Sequence, residues 1–275
     1  MTETVRTIDT NTVPWGDWHP QFPGTKSKEL HFDAASGANL RQAYLPPGFT
    51  IADKERHHHG DTREGVFILF GNIPYHEYDL PTTTVGQPFD FREGFLLDRT
   101  PRSIHGISLD PTSELGCMIL EWGTGPLEFN YIPFEGDLAS FGTDFNPPHT
   151  ADSAALPWVP HPDLAGCKIK VLSNGGTAPD PRFHPVCLVH IPPGWAPPNT
   201  VHRGGAKPQR RWLYVLHGDA PVWTYDGANA ATGARHDLKQ GHYLEWSTPS
   251  TLGFESGETS EIGCVMLCVG TTLGD

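Results

Sequence analysis

The sequence predicts an all-β protein built from two copies of one β-domain. Three observations carry the prediction. Thirty glycines and 27 prolines, about a fifth of the chain, favour short strands and tight turns over long helices. Runs such as Gly65 to Phe70, Ile104 to Leu109 and Cys117 to Trp122 read as strands bounded by turn residues. Above all, the chain repeats itself. Val13-Pro14-Trp15, His19-Pro20 and Gly24-Thr25-Lys26-Ser27-Lys28 return as Leu156-Pro157-Trp158, His161-Pro162 and Gly166-Cys167-Lys168-Ile169-Lys170. The Pro46-Pro47-Gly48 turn returns as Pro192-Pro193-Gly194.

From Gly71 onward the matches keep a single offset, which chance recurrence of Gly and Pro would not maintain. Gly71-Asn72-Ile73-Pro74 and Tyr78-Asp79 pair with Gly218-Asp219-Ala220-Pro221 and Tyr225-Asp226, and Gly94 pairs with Gly241. Ser113-Glu114-Leu115-Gly116-Cys117 closes the first copy as Ser260-Glu261-Ile262-Gly263-Cys264 closes the second. The domains are therefore expected at 13–135 and 156–275. The polar, proline-containing stretch 136–155 is the expected linker.

Composition narrows the function. A net charge of −13 and the lack of a basic stripe argue against a nucleic-acid surface. No stretch approaches the length of an apolar membrane span, and the amino terminus has no signal-like apolar core. Five cysteines without a Cys-x-x-Cys pair suggest reduced thiols in a cytoplasmic protein, with Cys117 and Cys264 as small buried hydrophobes.

One cluster points to chemistry. Residues 57–71 read His57-x-His59-x4-Glu64-x6-Gly71, and His105 stands eleven residues after Gly94. On an extended strand His57 and His59 share a face while His58 points away. A turn would bring Glu64, which opens the next apolar run, back over that pair, and His105 would join from a distant strand. Three neutral imidazoles and one carboxylate suit a single divalent metal: Fe, Mn, Ni, Co, Cu or Zn. Strand alternation from Glu64 and His105 places Val66, Ile68, Ser103 and Ile107 around the metal, although ordinary barrel core explains each equally well. Arg41, Arg99 and Arg102 are candidates to hold an acidic substrate group, against the commoner role of exposed surface arginines.

These residues resemble the cupin superfamily, whose first motif is Gly-x5-His-x-His-x3-4-Glu-x6-Gly and whose second is Gly-x5-Pro-x-Gly-x2-His-x3-Asn. The first motif matches from His57 to Gly71. In the second, Gly94 and His105 keep their separation, Pro101 is one place late, Arg102 takes the second glycine's place and Leu109 stands where Asn would be. The Pro-Trp, Gly and Lys openings and the Pro-Pro-Gly turns look more narrowly like the ChrR-like cupins, which include a zinc-binding regulatory domain and dioxygenases that cleave diketones and hydroxyacetophenones.

The resemblance implies two tandem cupin jelly-roll barrels, a bicupin, with metal ligands His57, His59, Glu64 and His105, and Glu64 also available as a base. It implies a metal-dependent dioxygenase, Fe(II) being the favoured ion, acting with O2 on a small enolisable or phenolic carbonyl compound. An oxygen-independent isomerase, decarboxylase or lyase, or a zinc-binding regulatory module, are the alternatives. The second copy departs where metal would bind: Glu64 becomes Arg211, His105 becomes Leu252, and His202 is the only histidine just before the strand. A guanidinium cannot coordinate a cation, so the C-terminal barrel is expected to be metal-free. His217, His236 and His242 fall outside the motif and are expected at the surface or in turns. A monomer or a homodimer is expected. The residues before Val13, with Trp15, Trp18 and Phe22, are read as a swapped arm or as a cap on their own barrel.

Overall fold

The computed structural model describes residues 5–20, 22–50, 56–106, 111–174, 185–197, 201–203, 210–227 and 232–273, with backbone alone for 201–203 and 210. Ile107, Leu109 and the side chain of His202 lie outside the described residues. Apart from one 3-10 turn, Leu138–Phe141, the regular elements are strands. They fall into two units, 14–154 and 1–13 with 155–275.

The chain opens with β1 (Val5–Asp9), which belongs to the second unit. The first unit comprises β2 (Gly16–Asp17), β3 (Lys26–Phe32), β4 (Asn39–Leu45), β5 (Arg56–His58), β6 (Glu64–Tyr78), β7 (Gln87–Arg92), β8 (Phe95–Arg99), β9 (Ile104–Gly106), β10 (Cys117–Gly123), β11 (Asn130–Ile132) and β12 (His149–Asp152). Their order is β11-β5-β9-β6-β10-β4-β3-β2, with β7 and β8 also on β6 and β12 on β8. Every pairing is antiparallel. The long strand β6 is the spine: its first half pairs with β10 and β8, its second with β7 and β9. Inward residues Ala43, Leu45, Val66, Ile68, Ile73, Phe91, Leu97, Cys117 and Ile119 form its apolar core.

The second unit adds to β1 the strands β13 (Val159–Pro160), β14 (Lys168–Ser173), β15 (Val186–Ile191), β16 (Val201–Arg203), β17 (Arg210–Tyr225), β18 (Gly233–Lys239), β19 (His242–Ser247), β20 (Thr251–Phe254) and β21 (Cys264–Val269). Their order is β1-β19-β17-β21-β15-β14-β13, with β18 and β20 on β17 and β16 on β20.

The repeat extends to register. Met118 faces Phe70 and Ile119 faces Ile68, skipping Leu69; Val265 faces His217 and Met266 faces Val215, skipping Leu216. Both long strands thus carry the same bulge, two residues before Gly71 and Gly218. Those glycines have φ of 73° and 80°, and a Cβ on either would lie 1.9 Å from the carbonyl oxygen of Gly116 or Gly263. Positive φ and the close backbone approach both demand glycine, which explains why this residue recurs.

Two boundaries differ from the sequence reading. The stretch 136–155, expected as a linker, contributes β12, whose four residues pair with Phe95–Asp98 of β8. Of the residues before Val13, read as a swapped arm or as a cap on their own barrel, Val5–Asp9 pair with His242–Trp246 in the second unit. All five cysteines are buried and free. Of the outlying histidines, His217 is exposed, and His236 bonds Thr7 and Thr224. Among the described residues no helix is long and apolar enough to cross a membrane.

Candidate metal centre

Short local rules bring the histidines together. His57 on β5 pairs directly with His105 on β9, so their rings lie 4.3 Å apart. His59 follows at the end of the strand, 5.1 Å from His57 and 5.0 Å from His105 ring to ring. A turn closed by Thr62 N–H donating to the His59 carbonyl at 3.1 Å reverses the chain, and Glu64 starts β6 beside the cluster. One ring nitrogen from each of His57, His59 and His105 lies within 4.8 Å of the others, and all three side chains are buried.

Hydrogen bonding assigns two tautomers. His59 Nδ1 lies 2.9 Å from the Glu128 carbonyl and His105 Nδ1 lies 3.1 Å from the Ser103 carbonyl. A carbonyl only accepts, so each Nδ1 carries the proton and each Nε2 presents a lone pair. Burial, then neighbouring positive groups, holds His57 and His105 well below the usual imidazole pKa, and burial also lowers His59. The rings are therefore neutral near pH 7. Yet His59 Nε2 and His105 Nε2 face each other at 3.3 Å, and Glu64 oxygens stand 3.7 and 3.6 Å from them. Two imidazole lone pairs and a carboxylate converge with no imidazole proton between them. A divalent cation relieves that repulsion, and metal–nitrogen bonds of about 2.1 Å place neighbouring ligands about 3 Å apart.

Glu64 is held from behind. Arg99 Nη1 donates to Glu64 Oε2 at 2.7 Å, and Arg99 Nη2 donates to Glu77 Oε1 at 2.7 Å, all three groups being buried. Burial opposes ionisation of Glu64, but Arg99 and then His59 outweigh it, and the carboxyl titrates below its ordinary range. Glu77 goes the other way, raised by burial against the pull of Arg99. Glu121 on β10 hydrogen-bonds Glu64 and stands 2.9 Å from Arg41 Nε; burial pushes it up to about 7. On the opposite face of β8, Arg63 and Asp98 form a buried two-pronged pair at 2.7 Å, which ties the start of β6 to β8.

The cluster opens into a cavity of about 370 Å³. Its polar end holds the histidines, Glu64, Arg99, Glu121 and Arg41, and its apolar end includes Leu45, Phe49, Ile73, Phe91, Leu97 and Ile119. Phe129 lies 4.6 Å from the His57 ring, and Phe22 packs on it at 5.8 Å.

Of the expected pocket residues, Val66 lines the cavity. Ile68, one step deeper on the same face, is instead consumed in core packing. Ser103 is buried but offers its carbonyl to His105 rather than its side chain to the cavity. Among the candidate arginines, Arg99 is fully engaged inside, Arg41 lines the cavity, and Arg102 is partly exposed and paired with Asp61 and Asp144. Arg102 has φ of 64°, so the left-handed backbone that glycine serves in the motif is retained by an arginine. Sequence reasoning missed Glu77, Glu121, Tyr75 and Phe129. The available signal was a charge set within an apolar strand, as in Leu120-Glu121-Trp122.

At the matching positions of the second unit the register is the same and the chemistry is absent. Arg211 pairs with Trp246 as Glu64 pairs with Arg99, Leu213 with Cys268 as Val66 with Glu121, and Thr224 with Leu252 as Glu77 with His105. Leu213, Leu252, Trp246 and Cys268 belong to one packed apolar core.

No family model matches the sequence, and no curated protein does. Solved structures do match in fold. A proposed dioxygenase of Nostoc punctiforme superposes with a TM-score of 0.64 at 17% identity, covering 100% of this chain and 85% of its own. Oxalate decarboxylase of Lactobacillus farciminis gives 0.63 at 15% identity, covering 96% of this chain and 85% of its own. The Ylba protein of E. coli gives 0.60 at 12% identity, with 97% and 90% covered. These neighbours are cupin-type proteins, and with the two all-β units and their shared register they establish the fold: this chain is a tandem pair of cupin jelly-roll barrels.

Proposed function

We propose that the chain is a metal-dependent dioxygenase, with Fe(II) as the working ion, that cleaves a carbon–carbon bond in a small enolisable or phenolic carbonyl compound. One observation carries the metal: lone pairs of His59 and His105 face each other across 3.3 Å beside an ionised carboxylate. His57, His59 and His105 would hold the ion, with Glu64 as fourth ligand through the oxygen that Arg99 does not take. A bound divalent ion supplies Lewis acidity toward a carbonyl and, as iron, reactivity toward O2.

The chain's own residues do the rest. Glu128 and Ser103 carbonyls fix the imidazole tautomers, which a metal ligand needs. Arg99 keeps Glu64 ionised and steers its carboxylate toward the histidines. The apolar walls, with Phe49 and Phe91 at one end and Phe129 beside His57, match an alkyl or aryl ketone better than a sugar.

The test is oxygen uptake. Iron-loaded protein should consume O2 with a β-diketone or a hydroxyacetophenone, in proportion to bound iron, and His105→Ala should abolish both. Turnover of such compounds under anaerobic conditions would instead assign an isomerase, decarboxylase or lyase using the same ligands. Tightly held zinc with no turnover in either atmosphere would assign a regulatory module.

A further inference from the structure

Among the described residues, Tyr75 is the one phenol on the cavity wall. Beyond Gly71, alternation along β6 turns Ile73, Tyr75 and Glu77 to the inner face. The Tyr75 ring lies 5.9 Å from the His105 ring, and the Arg99 guanidinium sits over its face at 5.0 Å. A phenol is protonated at neutral pH, so the hydroxyl is a donor. Among the described residues that hydroxyl has no protein hydrogen-bond partner, so its donor is free for an occupant of the cavity. Its polar neighbours are engaged: Arg99 with Glu64 and Glu77, Arg41 with Glu121. Beside Tyr75, the guanidinium groups of Arg99 and Arg41 are thus held by carboxylates.

We propose that the Tyr75 hydroxyl donates a hydrogen bond to the enolate or phenolate oxygen of the ligand, whose apolar body occupies the end lined by Phe49, Ile73 and Phe91. An oxygen that gains negative charge gains most from this donor, because Arg99 behind the ring polarises it in the same sense. Tyr75 plays this part in catalysis only if the cavity is where the reaction occurs, so it rests on the function proposed above.

The experiment uses zinc-loaded protein, in which no oxidation competes. Wild type and Tyr75→Phe are titrated with nitrocatechol, whose visible band reports its ionisation, and with nitrobenzene, which keeps the ring but lacks an acidic oxygen. Tyr75→Phe should weaken nitrocatechol roughly tenfold or more, as expected for a lost hydrogen bond to a charged group, and shift the bound band. Nitrobenzene should be unaffected, since the phenylalanine ring preserves the packing against Arg99. An unchanged nitrocatechol affinity and band, equal weakening of both probes, or no binding of nitrocatechol to wild type would each overturn the assignment. Oxygen uptake by the iron-loaded enzyme separates the two readings. No uptake alongside the Tyr75 effect removes the reaction and keeps the donor; uptake with an unaltered Tyr75→Phe response does the reverse.

Discussion

Arg99 is the point at which the barrel is most exposed to a single change. It bridges two buried carboxylates, with nitrogen–oxygen distances of 2.7 Å to both Glu64 and Glu77 and a second contact to Glu77 at 3.2 Å. Charge centres about 4 Å apart at an effective dielectric near 20 attract by about 4 kcal/mol per pair. Desolvating the guanidinium takes back several kcal/mol, so the net value of the ions is small, but removing one partner leaves buried charge uncompensated. Arg99→Leu should therefore destabilise the metal-free N-terminal barrel by about 3–5 kcal/mol at pH 8. The pH dependence follows from the same cause. Without Arg99, burial and the charge of Glu64 raise Glu77 further above its unfolded value, and Glu64 loses the largest attraction that holds it down. The folded state then binds more protons than the unfolded state through the range just above pH 4, and stability falls as pH rises there. Urea unfolding should show a smaller deficit at pH 5 than at pH 8, and a second change, Glu77→Gln, should recover part of it. A loss below about 1 kcal/mol, or one independent of pH, would mean that the three groups are not the buried triad described.

Three further outcomes follow from other parts of the chain. Arg102 occupies a left-handed position with only partly exposed ion pairs to replace, so Arg102→Gly should be neutral or stabilising while Arg102→Ala should lose about 1 kcal/mol relative to it; thermal melting of the two variants decides. Cys117, Cys167 and Cys264 have thiols pushed up to about 12 by burial, and all five cysteines are inside, so dithionitrobenzoate at pH 8 should label none in the native protein and all five in urea; fast native labelling would contradict that burial. The three site histidines titrate below their unfolded value near 6.5, so the unfolded state binds more protons and metal-free stability should fall as pH drops from about 7 to 5. His105→Ala should flatten that slope, and an unchanged slope would argue against a buried neutral His105.

The two barrels and the histidine cluster are legible in sequence because both rest on short-range rules. A repeat preserves turn glycines such as Gly71 and Gly218, and a two-residue spacing puts His57 and His59 on one side of the chain. What could not be read depends on register between strands far apart in sequence. Alternation correctly faces Ile68 inward, but how deep the cavity reaches depends on which residues of β10 and β4 lie opposite, and there Ile119 and Ala43 close it. Arg99, Glu77 and Glu121 look like charges on exposed strand faces until β6, β8 and β10 are aligned. Phe129 lies in no motif at all. It reaches the site because β11 pairs with β5, placing Tyr131 opposite His57.

The second barrel supplies a control for why the first contains buried charge. Register makes the positions equivalent, and they differ in content. Where one barrel has Arg41 facing Glu121, the other has Cys187 facing Cys268; where one has Glu64 facing Arg99, the other has Arg211 facing Trp246. Cys187, Cys268 and Trp246 are buried in a continuous apolar core. The scaffold thus packs well without the ions, and replacing a buried charged cluster by apolar side chains is commonly neutral or stabilising. Stability does not account for Glu64, Glu77, Arg99 and Glu121 in the first barrel. They stand beside the three imidazoles and around a cavity of about 370 Å³, as the function proposed above requires of them.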